Sequence, residues 1–478
     1  MKLENLSLIT PYLELDPIFY HEVDPTPLKR PRLVSLNPGA MALIGLDPQQ
    51  VSRTEWESLL NGTLKLSGSR PYAMCYAGHQ FGHYVPRLGD GRAINLGEAN
   101  GWNLQLKGSG QTLYSRQGDG RAVLRSSIRE YLMSEAMHAL GIPSSRAMGI
   151  ITSDEKVARE RWENGAIVLR LAPSWIRFGS FEYFFHTGKH QQLEQLADFL
   201  LRESFPELVG TEDPYLKMFS VIVKRTAELM AHWQSVGFNH GVMNTDNMSA
   251  IGITIDYGPY AFLDTFDSEY VCNHTDAQGR YSYDNQPRIG YWNLTRLAHA
   301  LSPLITIEKL ENELERYGDY FTHKLLSILR EKLGLDDALP EDSDLFRSLF
   351  TTMENGRIDM TPFFRVLSRY DGDRGGILAL TLAPNQLNEW LDLYDKRLKA
   401  NRSSVSERHE RMLRANPKYV LKNYMLQEAI DAAEKEDFTL VERLLMIACA
   451  PFDEHHECER YAAPTPDRHK NLKLSCSS

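Results

Sequence analysis

The sequence predicts an α+β chain in which a β-rich N-terminal lobe, residues 1–180, precedes a larger α-rich C-terminal lobe, residues 181–478. Three observations predict it. From Tyr72 to Leu171 Gly-rich turns alternate with short apolar segments, one amphipathic helical pattern is set among them, and after Phe181 the apolar residues recur mainly at helical spacing.

Ala93–Leu96, Asn103–Lys107 and Ala166–Leu171 read as strands. Between them, Arg121–Leu140 carries Leu124, Ile128, Tyr131, Leu132, Ala136 and Leu140 on one helical face, and Gly141 with Pro143 supplies the stop. In the second lobe Leu216–Val236, Trp292–Leu301, Glu308–Leu333 and Leu426–Ala450 read as helices, and Ser249–Ile255 as a small strand or hairpin. No fixed-period repeat and no low-complexity linker interrupts the chain, so contiguous lobes are expected.

A chain of 478 residues with 42% hydrophobic and 24% charged residues has the composition of a folded globular protein. Its net charge of -10 argues against a nucleic-acid partner, which calls for a basic surplus, while leaving room for a local basic pocket. The most apolar run, Leu444–Ala450, is far short of the ~20 residues that span a bilayer, so no membrane is expected. The N-terminal residues show no basic-then-apolar leader pattern, and a cytoplasmic location is expected. Five cysteines, odd in number and scattered, do not make a disulfide framework. His455, His456 and Cys458 lack a nearby fourth ligand and read as surface rather than as a metal site.

The chemistry concentrates in a few segments. Leu-Gly-Asp-Gly-Arg at 88–92 has two glycines that let a backbone turn approach a phosphate closely, although a plain hairpin turn needs the same glycines. Alternation places Lys107 on the strand face opposite Leu104 and Leu106, and Glu130 follows on the next helix. A Gly-rich turn, a strand lysine and a helical glutamate, in that order, are how protein-kinase-like enzymes build a nucleotide clamp; the same two charges also suit an ordinary ion pair. In the second lobe His240-Gly241-Val242-Met243-Asn244-Thr245-Asp246-Asn247 precedes Asp256-Tyr257-Gly258. In such enzymes a loop asparagine and the aspartate of the second element hold Mg2+, which prefers oxygen ligands, and Asn247 and Asp256 fit those roles. Val242 stands where the usual catalytic aspartate would be, so Asp246, four residues on, is the substitute acceptor for a hydroxyl proton. Arg170, Arg177 and a second Gly-Asp-Gly-Arg at 118–121 add cations beyond what a simple kinase clamp requires.

These residues resemble the SelO (YdiU) family, whose kinase-like members are relatives of selenoprotein O. The resemblance extends over nearly the whole chain. It rests on LGDGR at 88–92, LKGSGQT from Leu106, GDGRAVLRSSIRE at 118–130, LRLAPSWIRFGSFE from Leu169, HGVMNTDNMS from His240, DYGPYAFLD at 256–264, NPKYVLKNY from Asn416 and the terminal SCSS. It implies a bilobal kinase-like fold with family extensions and an ATP site in which the nucleotide is inverted. AMP would then pass to Ser, Thr or Tyr hydroxyls of protein partners, with release of pyrophosphate. It makes Lys107, Arg170 and Arg177 the phosphate grip, supported by Glu130, and adds Gly89, Gly91, Arg92, Asp119, Gly120 and Asp256 to the nucleotide site. Asp246 becomes the proton acceptor, and Asn247 with Asp256 the ligands of Mg2+ or Mn2+. UMP transfer from UTP is implied as a second mode.

Where eukaryotic relatives carry selenocysteine, this chain has Cys476, and the resemblance motivates a reversible disulfide between Cys476 and Cys272 and a thiol-redox partner. Two rivals remain open from the residues alone: a phosphotransferase, against which Val242 speaks, and a nucleotide-binding scaffold with a redox-active tail, against which the retained Lys107, Glu130, Asn247 and Asp256 speak.

Overall fold

Period-two alternation decides how the N-terminal part is built. The computed structural model describes residues 1–470, 472 and 474. Its strands are β1 (Tyr20–Glu22), β2 (Arg32–Leu36), β3 (Tyr72–Met74), β4 (Gly78–Gln80), β5 (His83–Val85), β6 (Ala93–Ala99), β7 (Trp102–Lys107), β8 (Ala122–Val123), β9 (Arg146–Ala158) and β10 (Trp162–Ala172). Helices α1 (Pro38–Leu43) and α2 (Arg53–Leu60) precede β3, and α3 (Leu124–Ala139) follows β8. Eight strands form one antiparallel sheet in the order β1-β3-β6-β7-β10-β9-β2, with β8 on β10; β4 and β5 make a separate hairpin.

On β7, Leu104 and Leu106 enter a core shared with Ile167, Leu169 and Leu171 of β10 and with Met41 and Trp56 of α1 and α2. The alternate residues face the other way, where Lys107 lies opposite Val168 and Gln105 opposite Arg170. Helix α3 packs on that second face and buries Ile128, Tyr131, Leu132 and Ala136 there. The expected strands are present and longer than read. The helix starts at Leu124 rather than Arg121, because Ala122 and Val123 pair with β10 instead.

The remainder is mainly helical: α4 (Phe178–His186), α5 (His190–Ser204), α6 (Pro214–Val236), α7 (Gln286–Leu301), α8 (Ile307–Glu315), α9 (Tyr317–Lys332), α10 (Asp342–Gly356), α11 (Met360–Leu367), α12 (Gly375–Leu378), α13 (Pro384–Leu398), α14 (Val405–Ala415), α15 (Asn423–Ala433) and α16 (Thr439–Cys449). Glu308–Leu333 is thus two helices broken at Arg316, and Leu426–Ala450 is two helices broken at 434–438, where Glu436 is left-handed at φ 66°. Ser249–Ile255 forms neither a strand nor a regular hairpin. Isolated bridges tie Ser249 to Arg177 and Thr254 to Met248 and Ser144, around a turn at Gly252 with φ 77°. Between α6 and α7, β11 (Phe238–Asn239) pairs with β12 (Ala261–Phe262). Among the described residues no helix is long and apolar enough to cross a membrane.

Candidate active site

A cleft of about 690 Å3 is lined by Lys107, Glu130, Arg170 and Arg177 from the sheet side and by Asp246, Asn247 and Asp256 from the helical side. The sheet register puts Lys107 and Arg170 there, on the face of β7 and β10 that α3 covers, and the same helix carries Glu130. The short β11–β12 ladder draws the segments before and after it together, so that 240–247 and 256–260 meet at the cleft floor.

Asp256 is the point where the cations converge. Lys107 Nζ lies 2.7 Å from Glu130 Oε2 and 3.4 Å from Asp256 Oδ1. One Arg170 nitrogen is 2.6 Å from both Glu130 Oε1 and Asp256 Oδ1, and the other donates to Gln105 Oε1. Arg177 donates to Asp256 Oδ2 and, at 2.7 Å, to the Asp246 carbonyl. Two aromatic rings back the guanidinium groups: Trp175 lies under Arg170 at 4.5 Å and Tyr76 under Arg177 at 4.8 Å. Burial alone would raise the Glu130 and Asp256 carboxyls. The surrounding cations win, holding Glu130 below and Asp256 well below the usual carboxylate range, while burial lowers Lys107. Such a buried network is costly to desolvate. Asp256 itself is left-handed at φ 55°, an uncommon conformation for a residue with a Cβ.

Two Gly-rich segments interlock at the cleft rim. A Cβ at Gly89 would come 2.3 Å from the Tyr114 ring, and one at Gly91 would come 2.8 Å from the Tyr114 carbonyl. Both glycines are therefore required by close packing of the turn, whatever ligand it also meets. Thr112 and Ser115 hydroxyls donate to the carbonyls of Asp90 and Gly91 and fasten the second segment to the first. Arg92 is exposed at the rim. Asp119 pairs with Arg159 at 2.7 Å, which lowers its carboxyl, and Gly120, at φ 68°, turns the chain against Gly110.

In the helical half, His240 is buried and neutral in character, its Nε2 3.1 Å from the Ile255 carbonyl and its ring stacked on Trp233. That bond staples the loop to the segment leading into Asp256. Asn247 donates its amide nitrogen to the Val242 carbonyl at 3.1 Å, which leaves the carboxamide oxygen for a ligand. Burial pushes the Asp246 carboxyl up to about 7, against the pull of Gln80 and Arg177. Its Oδ1 is buried without a hydrogen-bond partner among the described residues.

Gly89, Gly91, Arg92, Lys107, Asp119, Gly120, Glu130, Arg170, Arg177, Asp246, Asn247 and Asp256 all border this one cleft. Cys272 does not. It is buried behind the loop, with its N–H donating to Asn239 Oδ1 at 3.2 Å and its sulfur against the Pro259 carbonyl. Cys476 lies outside the described residues, whereas Leu474 pairs with Asn273, and its carbonyl accepts from the His274 N–H at 3.0 Å. Sequence reasoning missed Gln80, Gln105, Asp90 and Tyr76. Gln105 was legible as a residue on the Lys107 face of its strand, and Gly78 and Gly82 marked a turn around Gln80, but nothing in the spacing tied that turn to Asp246.

The donor set suits a hard divalent cation in part. Asn247 and Asp256 offer oxygens on the cleft, yet among the described residues no group of three His, Cys, Asp or Glu side chains is placed to hold an ion. An ion at this place would draw its other oxygens from phosphate and water, as Mg2+ commonly does. A separate cavity of about 760 Å3, lined by Glu98, Arg202, Glu203, Arg225 and His232 among others, shares no residue with the cleft.

The sequence is similar to known proteins along its whole length. A family profile described as protein adenylyltransferase SelO matches residues 2–448. Relatives named protein nucleotidyltransferase YdiU include one from Myxococcus xanthus, 47% identical over 485 residues and covering 100% of this chain and 99% of the relative. Another, from Thioalkalivibrio sulfidiphilus, is 48% identical over 491 residues and covers 100% of both. One from Ectopseudomonas mendocina is 47% identical over 489 residues, again covering 100% of both.

Proposed function

Because the chain belongs to the SelO family of nucleotidyltransferases, we propose that it moves AMP from ATP, and UMP from UTP as a second mode, onto Ser, Thr or Tyr hydroxyls of proteins, releasing pyrophosphate. The observation that carries this reading is the convergence of Lys107, Arg170 and Arg177 on one carboxylate deep in a glycine-rimmed cleft, beside a buried aspartate whose Oδ1 has no partner among the described residues. A γ-phosphoryl transfer needs its charge compensated at the end of the chain of phosphates. Transfer of the α-phosphoryl makes pyrophosphate the leaving group, and three clustered cations suit the charge that builds there. We read the two parts, residues 1–180 and 181–478, as the lobes of a kinase-like fold closing on that site.

In this reading the acceptor hydroxyl gives its proton to the Asp246 carboxylate as its oxygen bonds to the α-phosphorus and the bond to pyrophosphate breaks. A pKa raised to about 7 makes that carboxylate a better base than an ordinary aspartate. Lys107, kept in place by Glu130, and Arg170 and Arg177, backed by their aromatic rings, hold the phosphates. Gly89, Gly91, Arg92, Asp119 and Gly120 border the rest of the nucleotide. Asn247 and Asp256 are the residues that would hold Mg2+ or Mn2+, which when bound neutralises phosphate charge.

The test is incubation of the purified chain and a protein extract with ATP labelled at the α- or at the γ-phosphate, with Mg2+ or Mn2+. Protein labelled from the α-position alone is expected, and lost in Asp256→Ala. Label from the γ-position would make the chain a kinase instead. Parallel incubation with α-labelled UTP ranks the two nucleotides.

A further inference from the structure

The β4–β5 hairpin lies directly on the catalytic loop, and four consecutive residues of the one engage three of the other. A Cβ at Gly78 would come 2.7 Å from Asp246 Oδ1 and 2.9 Å from its Cβ, so only glycine lets the strand approach this closely. The His79 backbone N–H donates to Thr245 Oγ1 at 2.6 Å. Gln80 Nε2 donates to Asp246 Oδ2 at 3.1 Å. The Phe81 N–H reaches Asn244 Oδ1 at 3.1 Å.

Glu182 on α4 secures the join from behind. Its Oε2 accepts from the Thr245 hydroxyl at 2.6 Å, and its Oε1 shares a hydrogen bond with His79 Nδ1 at 2.8 Å. The hairpin is short and belongs to no larger sheet. Its turn residues, Phe81 and Gly82, are both left-handed, at φ 49° and φ 86°, as a two-residue turn of this type requires. The segment is therefore built as a separate arm whose inner edge grips the loop.

The two oxygens of Asp246 are consequently unlike. Oδ2 is engaged by Gln80, and Oδ1 is buried with no hydrogen-bond partner among the described residues. We infer that Gln80 is a positioning residue for the transfer reaction: its carboxamide, bonded to Oδ2 while Gly78 packs against Oδ1, holds the Asp246 carboxylate in the orientation from which it meets the acceptor hydroxyl. The inference rests on the reading of Asp246 as proton acceptor and extends it to a residue 166 positions away in the chain. Gln80 also borders the cleft, so its amide stands beside the place where the acceptor must arrive.

The experiment compares the unaltered chain with Gln80→Leu and Gln80→Met in the α-label assay, alongside calorimetric titration with ATP and a thermal melt. Positioning predicts that both variants lose about tenfold or more in the rate of transfer at saturating ATP while ATP affinity changes less than about twofold. Methionine keeps the length and removes only the amide. A fall with leucine that methionine does not reproduce traces to shape and overturns the inference, as does a parallel fall in ATP affinity or an undiminished rate. Absence of transfer from α-labelled ATP or UTP in the unaltered chain overturns the functional reading and this inference with it.

Discussion

Lys107 Nζ stands 2.7 Å from Glu130 Oε2, joining β7 to α3, with the glutamate buried and the lysine half-buried at the cleft. Removing one partner of a buried pair normally costs several kcal/mol because the other charge is stranded. Here Arg170 also reaches Glu130, so the stranded group differs with the side removed. Glu130→Gln removes one of the two carboxylates that Lys107 and Arg170 share, leaving Asp256 to hold both, and frees the lysine to turn. ATP affinity is expected to weaken about tenfold and the melting temperature to fall by a few degrees. Titration calorimetry and a thermal melt check this, and unchanged affinity would remove Glu130 from the clamp.

Asp256 carries a different expectation, because its single negative charge is the one that all three cations touch. Asp256→Asn strips that charge while keeping the shape. Bare pyrophosphate is expected to bind more tightly, by about tenfold, while Mg2+ no longer improves ATP binding and transfer is lost. Titrations with and without Mg2+ decide it. A metal response equal to that of the unaltered chain would take Asp256 out of the ligand set.

The second cavity yields a pH effect separable from catalysis. Burial, with Glu98 nearby, raises Glu203 from 4.5 to about 7. The folded state thus binds a proton that the unfolded state has already released between these two values. Stability from this group is complete below about pH 4.5 and is lost as the pH rises through 7. The side chain is half-buried, so the loss is about 1–3 kcal/mol. Glu203→Gln, which stays neutral, is expected to melt higher than the unaltered chain at pH 8 and close to it at pH 5. Equal pH slopes in the two proteins would show that Glu203 titrates normally.

The reversible Cys272–Cys476 disulfide implied by the resemblance has a direct chemical test, and Leu474, which pairs with Asn273 and His274, is the last described residue before Cys476. Oxidation by a small disulfide such as oxidised glutathione takes two electrons and two protons from the thiol pair. The accessible thiol count under denaturing conditions is expected to fall by two, and not at all in Cys476→Ser. An unchanged count in the unaltered chain sinks the idea.

What could be read from the sequence followed from local periodicity. Alternation alone placed Lys107 on the face away from Leu104 and Leu106, and helical spacing put Glu130 on an amphipathic helix. Two features escaped for local reasons. The break at Arg316 leaves the apolar stripe of Leu310, Leu314 and Tyr317 intact, and the break at Glu436 uses a left-handed residue with no glycine to announce it. The contact of Gln80 with Asp246 escaped for a global one. It depends on packing between segments 166 residues apart, and neither segment's own pattern encodes its partner. The glycines at 89 and 91 read as a turn that either a phosphate or a hairpin would need, and the structure adds that Tyr114 leaves no room for a Cβ at either.

The carboxylate that gathers Lys107, Arg170 and Arg177 has one more implication. The resting cleft resembles an ion exchanger already loaded with its own counter-ion. An entering anion must compete with a tethered one, and a single charge gains little by doing so. Valence rather than the shape of the base therefore sets the threshold for entry, and among adenosine compounds occupancy is expected to climb steeply with each added phosphate.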